Sequence, residues 1–190
     1  MKRILFVGDS PALHTGFGKV LSKIAIHTSQ HVSCEVKVLG WFSHFSTGRD
    51  IFPFEVVSTN IRDEEDVYGK LTFPKLIEDY EPDLVFAIGD PWMIKHIIDF
   101  QPRNFKLMVY VPVDGAPQPI GAMRSLDKAD EVVAYLPWAR NVMKQCGLKK
   151  EAHVIPHGVD TNFYKPYPPE ENGQTPFSGS FVVGTVARNQ

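Results

Sequence analysis

Arg3-Ile4-Leu5-Phe6-Val7-Gly8-Asp9-Ser10-Pro11 is the stretch that decides the fold, read together with His14-Thr15-Gly16-Phe17-Gly18 and then Val20, Leu21, Ile24 and Ala25. After its first residue the run to Val7 is continuously apolar, which suits a strand buried on both faces. Gly8-Asp9-Ser10-Pro11 breaks it, and the later apolar residues recur at helical spacing. Strand, Gly-bearing loop, helix is the opening unit of a doubly wound sheet. It sets the loop at the carboxyl edge of the first strand, where such sheets bind ligands. Gly16 and Gly18 would let backbone approach a phosphate at a helix N-terminus, which favours an anion. A tight turn packing helix on strand explains the same two glycines as well. The spacing is GxG, without the third Gly of the dinucleotide fingerprint.

Working outward, further strands are expected over Val32–Trp41, Phe54–Ser58, Leu84–Ile88, Lys106–Val111, Glu131–Leu136 and Ala152–Ile155. Between them lie helical patterns: part of Asp66–Tyr80, a segment led by Pro91 that carries Ile94, Ile97 and Ile98, a short one over Pro119–Leu126, and Pro137–Cys146 closed by Gly147. Gly after the last helical residue is a C-cap signal, and Pro suits a first turn. Trp41 to Ile51 reads as a loop. Strands alternating with helices predict an α/β class: a Rossmann-like, mainly parallel sheet with right-handed crossovers and helices on both faces.

The chain of 190 residues can bury a full core without a disulfide or metal staple. A formal charge of −2 supplies no basic field for nucleic acid or an anionic membrane. Cys34 and Cys146 stand outside any CxxC or Cys/His cluster, which predicts reduced thiols and a cytoplasmic setting. No apolar run approaches ~18 residues, and Ile4–Val7 is too short for a signal-peptide core.

The second informative stretch is Val154-Ile155-Pro156-His157-Gly158-Val159-Asp160-Thr161-Asn162-Phe163-Tyr164-Lys165-Pro166. It reads as a short strand, a Pro/Gly turn, a helix cap and a stop. Beyond it, prolines at 166, 168, 169 and 176 with Gly173 and Gly179 have linker chemistry. Phe181 to Val186 then reads as a new buried strand. The expected division is a Rossmann-like domain over 1–165, a linker over 166–180, and over 181–190 the first strand of a second domain that is cut off. The turn at His157 would be a crossing point between lobes, and clefts between lobes commonly hold ligands.

Three strands end in an acidic or Gly-bearing turn, at Gly8-Asp9, Gly89-Asp90 and Asp114-Gly115. In a parallel sheet these ends converge on one edge, where carboxylates could orient hydroxyls or hold a metal. Asp and Gly are also simply common at such turns. Asp114 is singled out because Pro112, Pro117 and Pro119 stiffen its loop. Of seven histidines none shows metal-ligand spacing, so no metal site is expected. His14, beside the Gly loop, is a candidate for a phosphate or sugar contact, and His157 for a ligand or a packed ring. Trp92 is the loop aromatic best placed to stack on a sugar; Trp41, Phe42, Phe45 and Trp138 read as caps of the sheet edge. GxSxG, a Cys–His pair and the Walker A sequence are all missing, which leaves nucleophilic hydrolysis and nucleotide hydrolysis without support.

The segment 154–166 closely resembles the "PxGxD…F.P" hallmark of retaining glycosyltransferases of the GT-B fold, the large group 1 (GT4) family. Supporting features come in the expected order: the loop Gly16-Phe17-Gly18 after the first strand, the helix Pro137–Gly147 ahead of the hallmark, and Phe181-Val182-Val183-Gly184-Thr185-Val186-Ala187-Arg188 as the first strand of a nucleotide-sugar lobe. The likeness covers almost the whole chain, as the amino-terminal, acceptor-side half of such an enzyme. It implies metal-independent transfer of a sugar from a nucleoside-diphosphate sugar to an acceptor hydroxyl, with retention of configuration and no cofactor. It also implies that this chain alone is inactive, because the family's Lys and paired glutamates would lie beyond Gln190. The acceptor would be a carbohydrate, lipid-linked or small molecule, with peripheral membrane contact open. Arg188 matches the arginine that faces the donor diphosphate, with Gly16 and Gly18 on the same phosphates. Asp114 is the catalytic candidate, and His14, Asp90, Trp92 and His157 face acceptor or sugar. One departure stands out: where many members carry a His at the end of the fifth strand, this chain has Val113.

Other readings remain open on sequence: a non-enzymatic sugar- or nucleotide-binding module, half of a two-chain enzyme, or a sugar-phosphate epimerase of the same fold. A dehydrogenase is disfavoured, since Leu39-Gly40-Trp41 stands where the second strand should end in an acidic residue.

Overall fold

The computed structural model describes residues 1–43, 51–166, 181 and 183. Met1–His157 form one compact unit, and a second begins at Gly158. The first unit runs β1 (Lys2–Asp9), α1 (Gly16–His31), β2 (Cys34–Trp41), β3 (Glu55–Ser58), α2 (Thr72–Tyr80), β4 (Leu84–Ile88), α3 (Lys95–Ile98), β5 (Lys106–Val111), α4 (Ile120–Ser125), β6 (Glu131–Ala134), α5 (Pro137–Gln145) and β7 (Ala152–Val154). The strands form one sheet in the order β3-β2-β1-β4-β5-β6-β7. Every pairing is parallel; Phe6, for example, lies opposite Val38 on one side and Phe86 on the other. This is the expected Rossmann-like α/β sheet.

Alternate residues along each strand feed two cores. On one face Leu5, Val7, Val85, Ala87, Leu107 and Val109 pack with Phe73 of α2, Ile97 of α3, Met123 of α4 and Met143 of α5. On the other, Phe6, Val38, Phe86 and Ile88 pack with Leu21 and Ala25 of α1 and with Phe54. Burial on both faces is why the strands read as unbroken apolar runs, and each fully buried Leu, Ile or Phe contributes roughly 1.5–3 kcal/mol.

Helix limits come from local chemistry. α5 begins with Pro137 in its first turn, and Gly147 beyond its end takes φ +109, the left-handed geometry that glycine adopts without strain. The helical pattern over Asp66–Tyr80 is realised only from Thr72. Ahead of it the Asp66 carboxylate, 2% exposed, accepts from the backbone N–H groups of Asn60, Leu71 and Thr72 at 2.8–2.9 Å and from the Thr72 hydroxyl. That ties residues 60–71 into a turn. The segment led by Pro91 likewise starts late: Met93 and Ile94 donate to the Asp90 carbonyl, and α3 begins at Lys95. Cys34 and Cys146 are both free thiols.

In the second unit Asp160 Oδ1 accepts from the N–H groups of Asn162 (3.0 Å) and Phe163 (3.3 Å), capping a single turn. The segments expected as linker and as the first strand of a second domain, Arg188 included, lie outside the described residues except for positions 166, 181 and 183.

Candidate functional site

The strand order reverses at β1, which has β2 on one side and β4 on the other. In open parallel sheets that reversal opens a crevice beyond the carboxyl ends of the strands. Asp9 ends β1 there, Gly89-Asp90 come after β4, Val113-Asp114 after β5, Tyr135 after β6, and His157 stands three residues past β7.

Asp9 is 5% exposed. Its Oδ2 accepts the Thr15 hydroxyl proton at 2.6 Å, and its buried Oδ1 has no hydrogen-bond partner among the described residues. Burial pushes its pKa up, and the Thr15 bond only partly offsets this. Thr15 in turn accepts the Gly18 N–H at 3.0 Å, capping α1. The hydroxyl thus couples the carboxylate to the helix start. Gly16 and Gly18, expected in a loop, lie instead in the first turn of α1, and they differ in what they do. A Cβ on Gly18 would lie 2.8 Å from the Ser10 carbonyl oxygen and 2.9 Å from Thr15 Oγ1, so the close approach requires glycine there. A Cβ on Gly16 would meet nothing within 4 Å, which leaves its backbone open to a ligand.

Asp90 is half-buried. Burial raises its pKa, the charge of Asp114 raises it further, and a hydrogen bond from Trp92 partly opposes both. The turn built on the Asp90 carbonyl presents Trp92, whose side chain is mostly exposed. The Trp92 ring meets Tyr68 edge-on at 5.2 Å, and Tyr68 meets Trp41 and Phe42 edge-on at 5.4 Å each. Burial raises the Tyr68 hydroxyl, and the charges of Asp9 and then Asp90 raise it further, so it remains a proton donor at neutral pH. Tyr68 therefore feels the charges of the β1 and β4 carboxylates, and Asp90 feels that of Asp114.

Asp114 is exposed on a loop braced by Gln118, whose Nε2 donates to the Gly115 carbonyl at 2.9 Å and whose backbone N–H meets Cys146 Sγ at 3.3 Å. Next along the edge the Tyr110 hydroxyl donates to the Ile155 carbonyl at 2.6 Å. The His157 ring lies 4.1 Å from that of Tyr135 and 5.5 Å from that of Tyr110. Burial lowers the pKa of His157, keeping it neutral at pH 7. It raises that of Tyr135, with smaller contributions from Tyr110 and Asp90.

The structure thus brings Asp90, Asp114 and Trp92 together, with His157 farther along the same edge. His14 is exposed in the loop ahead of α1, and among the described residues no contact joins it to the carboxylates. Three members were not singled out from sequence: Thr15, Tyr68 and Tyr135. Thr15 had a readable signal, as a Thr directly before a helical apolar pattern is an N-cap. Among the described residues no cluster of three or more His, Cys, Asp or Glu is arranged to hold a metal ion, and no helix is long and apolar enough to cross a membrane.

No family model matches the chain, and no curated protein matches it. Solved structures do. One is the apo form of the lipopolysaccharide outer core galactosyltransferase WaaB, at 16% identity and a TM-score of 0.60, over 90% of this chain and 50% of that one. Anabaena Alr3699/HepE, solved with UDP and glucose and with UDP, matches at 17% and 18% identity and a TM-score of 0.54, over 88% of this chain and 47% of that one. The chain spans about half the length of these structures. At such identities the likeness shows the fold, a Rossmann-like α/β lobe shared with a galactosyltransferase of about twice its length.

Proposed function

We propose that this chain is the acceptor-side lobe of a group 1 glycosyltransferase. The enzyme would move a glycosyl group from a nucleoside-diphosphate sugar to an acceptor hydroxyl, with retention and without a metal. The observation that carries the reading is the row of carboxylates at the sheet's reversal point, set beside an exposed Trp, on a fold shared with a galactosyltransferase. A UDP-sugar is the donor to try first, because HepE was solved with UDP and glucose.

In this scheme the acceptor hydroxyl approaches Asp114 and Asp90. Burial, and then the charge of Asp114, hold the Asp90 carboxyl above its usual range. As the sugar–phosphate bond breaks, the acceptor oxygen bonds to the anomeric carbon on the face that the diphosphate leaves, which retains the configuration, and its proton passes to the Asp114 carboxylate. The electron pair of the broken bond leaves on the diphosphate. The first turn of α1 at Gly16 would face that diphosphate and stabilise its growing charge. The Gly18 N–H is already given to Thr15, so Gly18 serves by letting the loop close. His14 and His157 would hydrogen-bond sugar hydroxyls, and Trp92 would stack on a ring.

The test is transfer by the full-length enzyme. Asp114→Asn is expected to lower kcat at least ~100-fold, a typical general-base contribution, with the protein still folded. Asp90→Asn is expected to shift the acid limb of the pH–rate profile to lower pH, since it removes the raised carboxyl. Near-wild-type transfer by Asp114→Asn would overturn the assignment.

A further inference from the structure

Beside the carboxylate edge lies a groove of about 620 Å³ whose wall includes Tyr68 and Trp92. Its remaining lining comes from the loop before α2, with Glu64, Glu65 and Lys70, and from α3 and its approach, with Lys95, His96 and Asp99. Trp92 therefore has two neighbourhoods: it hydrogen-bonds Asp90 in the site, and it walls the groove. The volume falls within the usual range for a small-molecule site, ~300–1,000 Å³.

The charges of the groove decide what it can hold. Among the described residues both of its lysines are paired: Lys95 with Asp99, and Lys70 with Glu65 at 4.0 Å. Asp99 is also held by Lys128 at 2.6 Å. Burial lowers the His96 pKa, so this ring is neutral at pH 7. A phosphate or carboxylate entering here would have to compete with Glu65 and Asp99 for these lysines, and Glu64 would repel it. A neutral ring finds a mostly exposed indole for its apolar face and carboxylates to accept its hydroxyls.

We infer that this groove seats a second sugar ring of the acceptor, so that the acceptor is a neutral oligosaccharide, not a lone monosaccharide or a phosphorylated sugar. The inference rests on the glycosyl-transfer reading of the adjoining site. The ring carrying the reactive hydroxyl lies at Asp90 and Asp114, and the ring before it stacks on the groove side of Trp92.

Binding tests this without turnover. Methyl glucoside and methyl galactoside, the disaccharides maltose, cellobiose and lactose, and glucose 6-phosphate are titrated into the full-length protein, with saturation-transfer NMR and tryptophan fluorescence as readouts. At least one disaccharide is expected to bind ~10-fold or more tightly than its monosaccharide, as an added ring buried on an aromatic face should give. Trp92→Ala should abolish that ratio and Trp92→Phe should keep part of it; because Trp92 is exposed, truncation leaves the core intact. Equal affinities for one ring and two, a ratio unchanged in Trp92→Ala, no sugar bound, or tighter binding of glucose 6-phosphate would each overturn the inference. Failure of the transfer reading shows separately: the disaccharide ratio holds, yet no nucleotide sugar gives product.

Discussion

Two buried aspartates sit in comparable places, each in the segment ahead of a helix, and they behave in opposite ways. Asp66, before α2, accepts four hydrogen bonds; burial alone would raise its pKa, but bonds from Thr72, Asn60 and Leu71 win and lower it. Asp9, before α1, accepts one bond, leaves an oxygen bare, and has a raised pKa. The two are similarly inaccessible, at 2% and 5% exposure, and although Asp9 lies deeper among protein atoms, solvent exposure does not separate them. The number of donors does: a carboxylate ringed by donors is a structural tie, and one left with spare acceptor capacity and a raised pKa is a functional candidate.

The largest expected effect breaks the structural member of the pair. Asp66→Ala leaves three N–H groups and a hydroxyl without their acceptor and should cost about 4 kcal/mol in urea unfolding, at the upper end for a single substitution. A loss below about 1 kcal/mol would mean that solvent replaces those bonds. By contrast, Asp9→Asn, which can still accept from Thr15, should change stability by less than about 1 kcal/mol.

Acid titration sharpens the contrast, because the signs are opposite. The depressed Asp66 contributes stability that is present above its unfolded pKa, about 3.9, and lost as pH falls through its lower folded value. The raised Asp9 binds its proton more tightly when folded, so stability contributed by Asp9 grows as pH falls from its folded value toward about 3.9. Relative to wild type, Asp66→Asn should therefore flatten the loss of stability below about pH 4, and Asp9→Asn should remove a gain just above it. Unfolding free energies measured every half pH unit would show this; the same slope change in both variants would erase the distinction.

A smaller effect than that of Asp66→Ala concerns the link between Asp9 and α1. Thr15→Ala removes the helix cap and should cost about 1 kcal/mol. It also takes away the bond that lowers the Asp9 pKa, so a carboxyl resonance followed by NMR should titrate at higher pH than in wild type.

The same contrast shows what was legible in the sequence. Strands buried on both faces, such as β1 and β4, appear as unbroken apolar runs, β2 was readable from its alternation, and a parallel sheet sends the carboxyl ends of its strands to one edge. That made Asp90 and Asp114 visible as strand-end residues. Tyr68 was not visible, because residues 60–71 keep to no hydrophobic period; the turn that presents it is held by the bonds of Asp66, whose partners are backbone groups with no sequence signature. Tyr135 was hidden in another way: it continues the apolar run of β6 and reads as core. Only part of Asp66–Tyr80 was expected to be helical, and the helix begins at Thr72 because Asp66 ties the turn ahead of it.

The pairing of β1 with β4 has a consequence for how the chain reaches its native state. Ile4 lies opposite Leu84, 80 positions later in the sequence, whereas Ile4 meets Val36 on its other side after only 32. All other adjacent strands lie closer together in sequence than these 80 positions. Closing the larger loop costs about 0.8 kcal/mol more chain entropy than closing the smaller, and non-local parallel pairing is slow. Asp9 and Asp90 sit on opposite sides of that closure. The carboxylate crevice is therefore expected to be absent from any partly ordered species that holds only β1–β3. A refolding experiment that tracks Trp92 fluorescence would report the docking of the two halves of the sheet, and with it the moment at which binding competence appears.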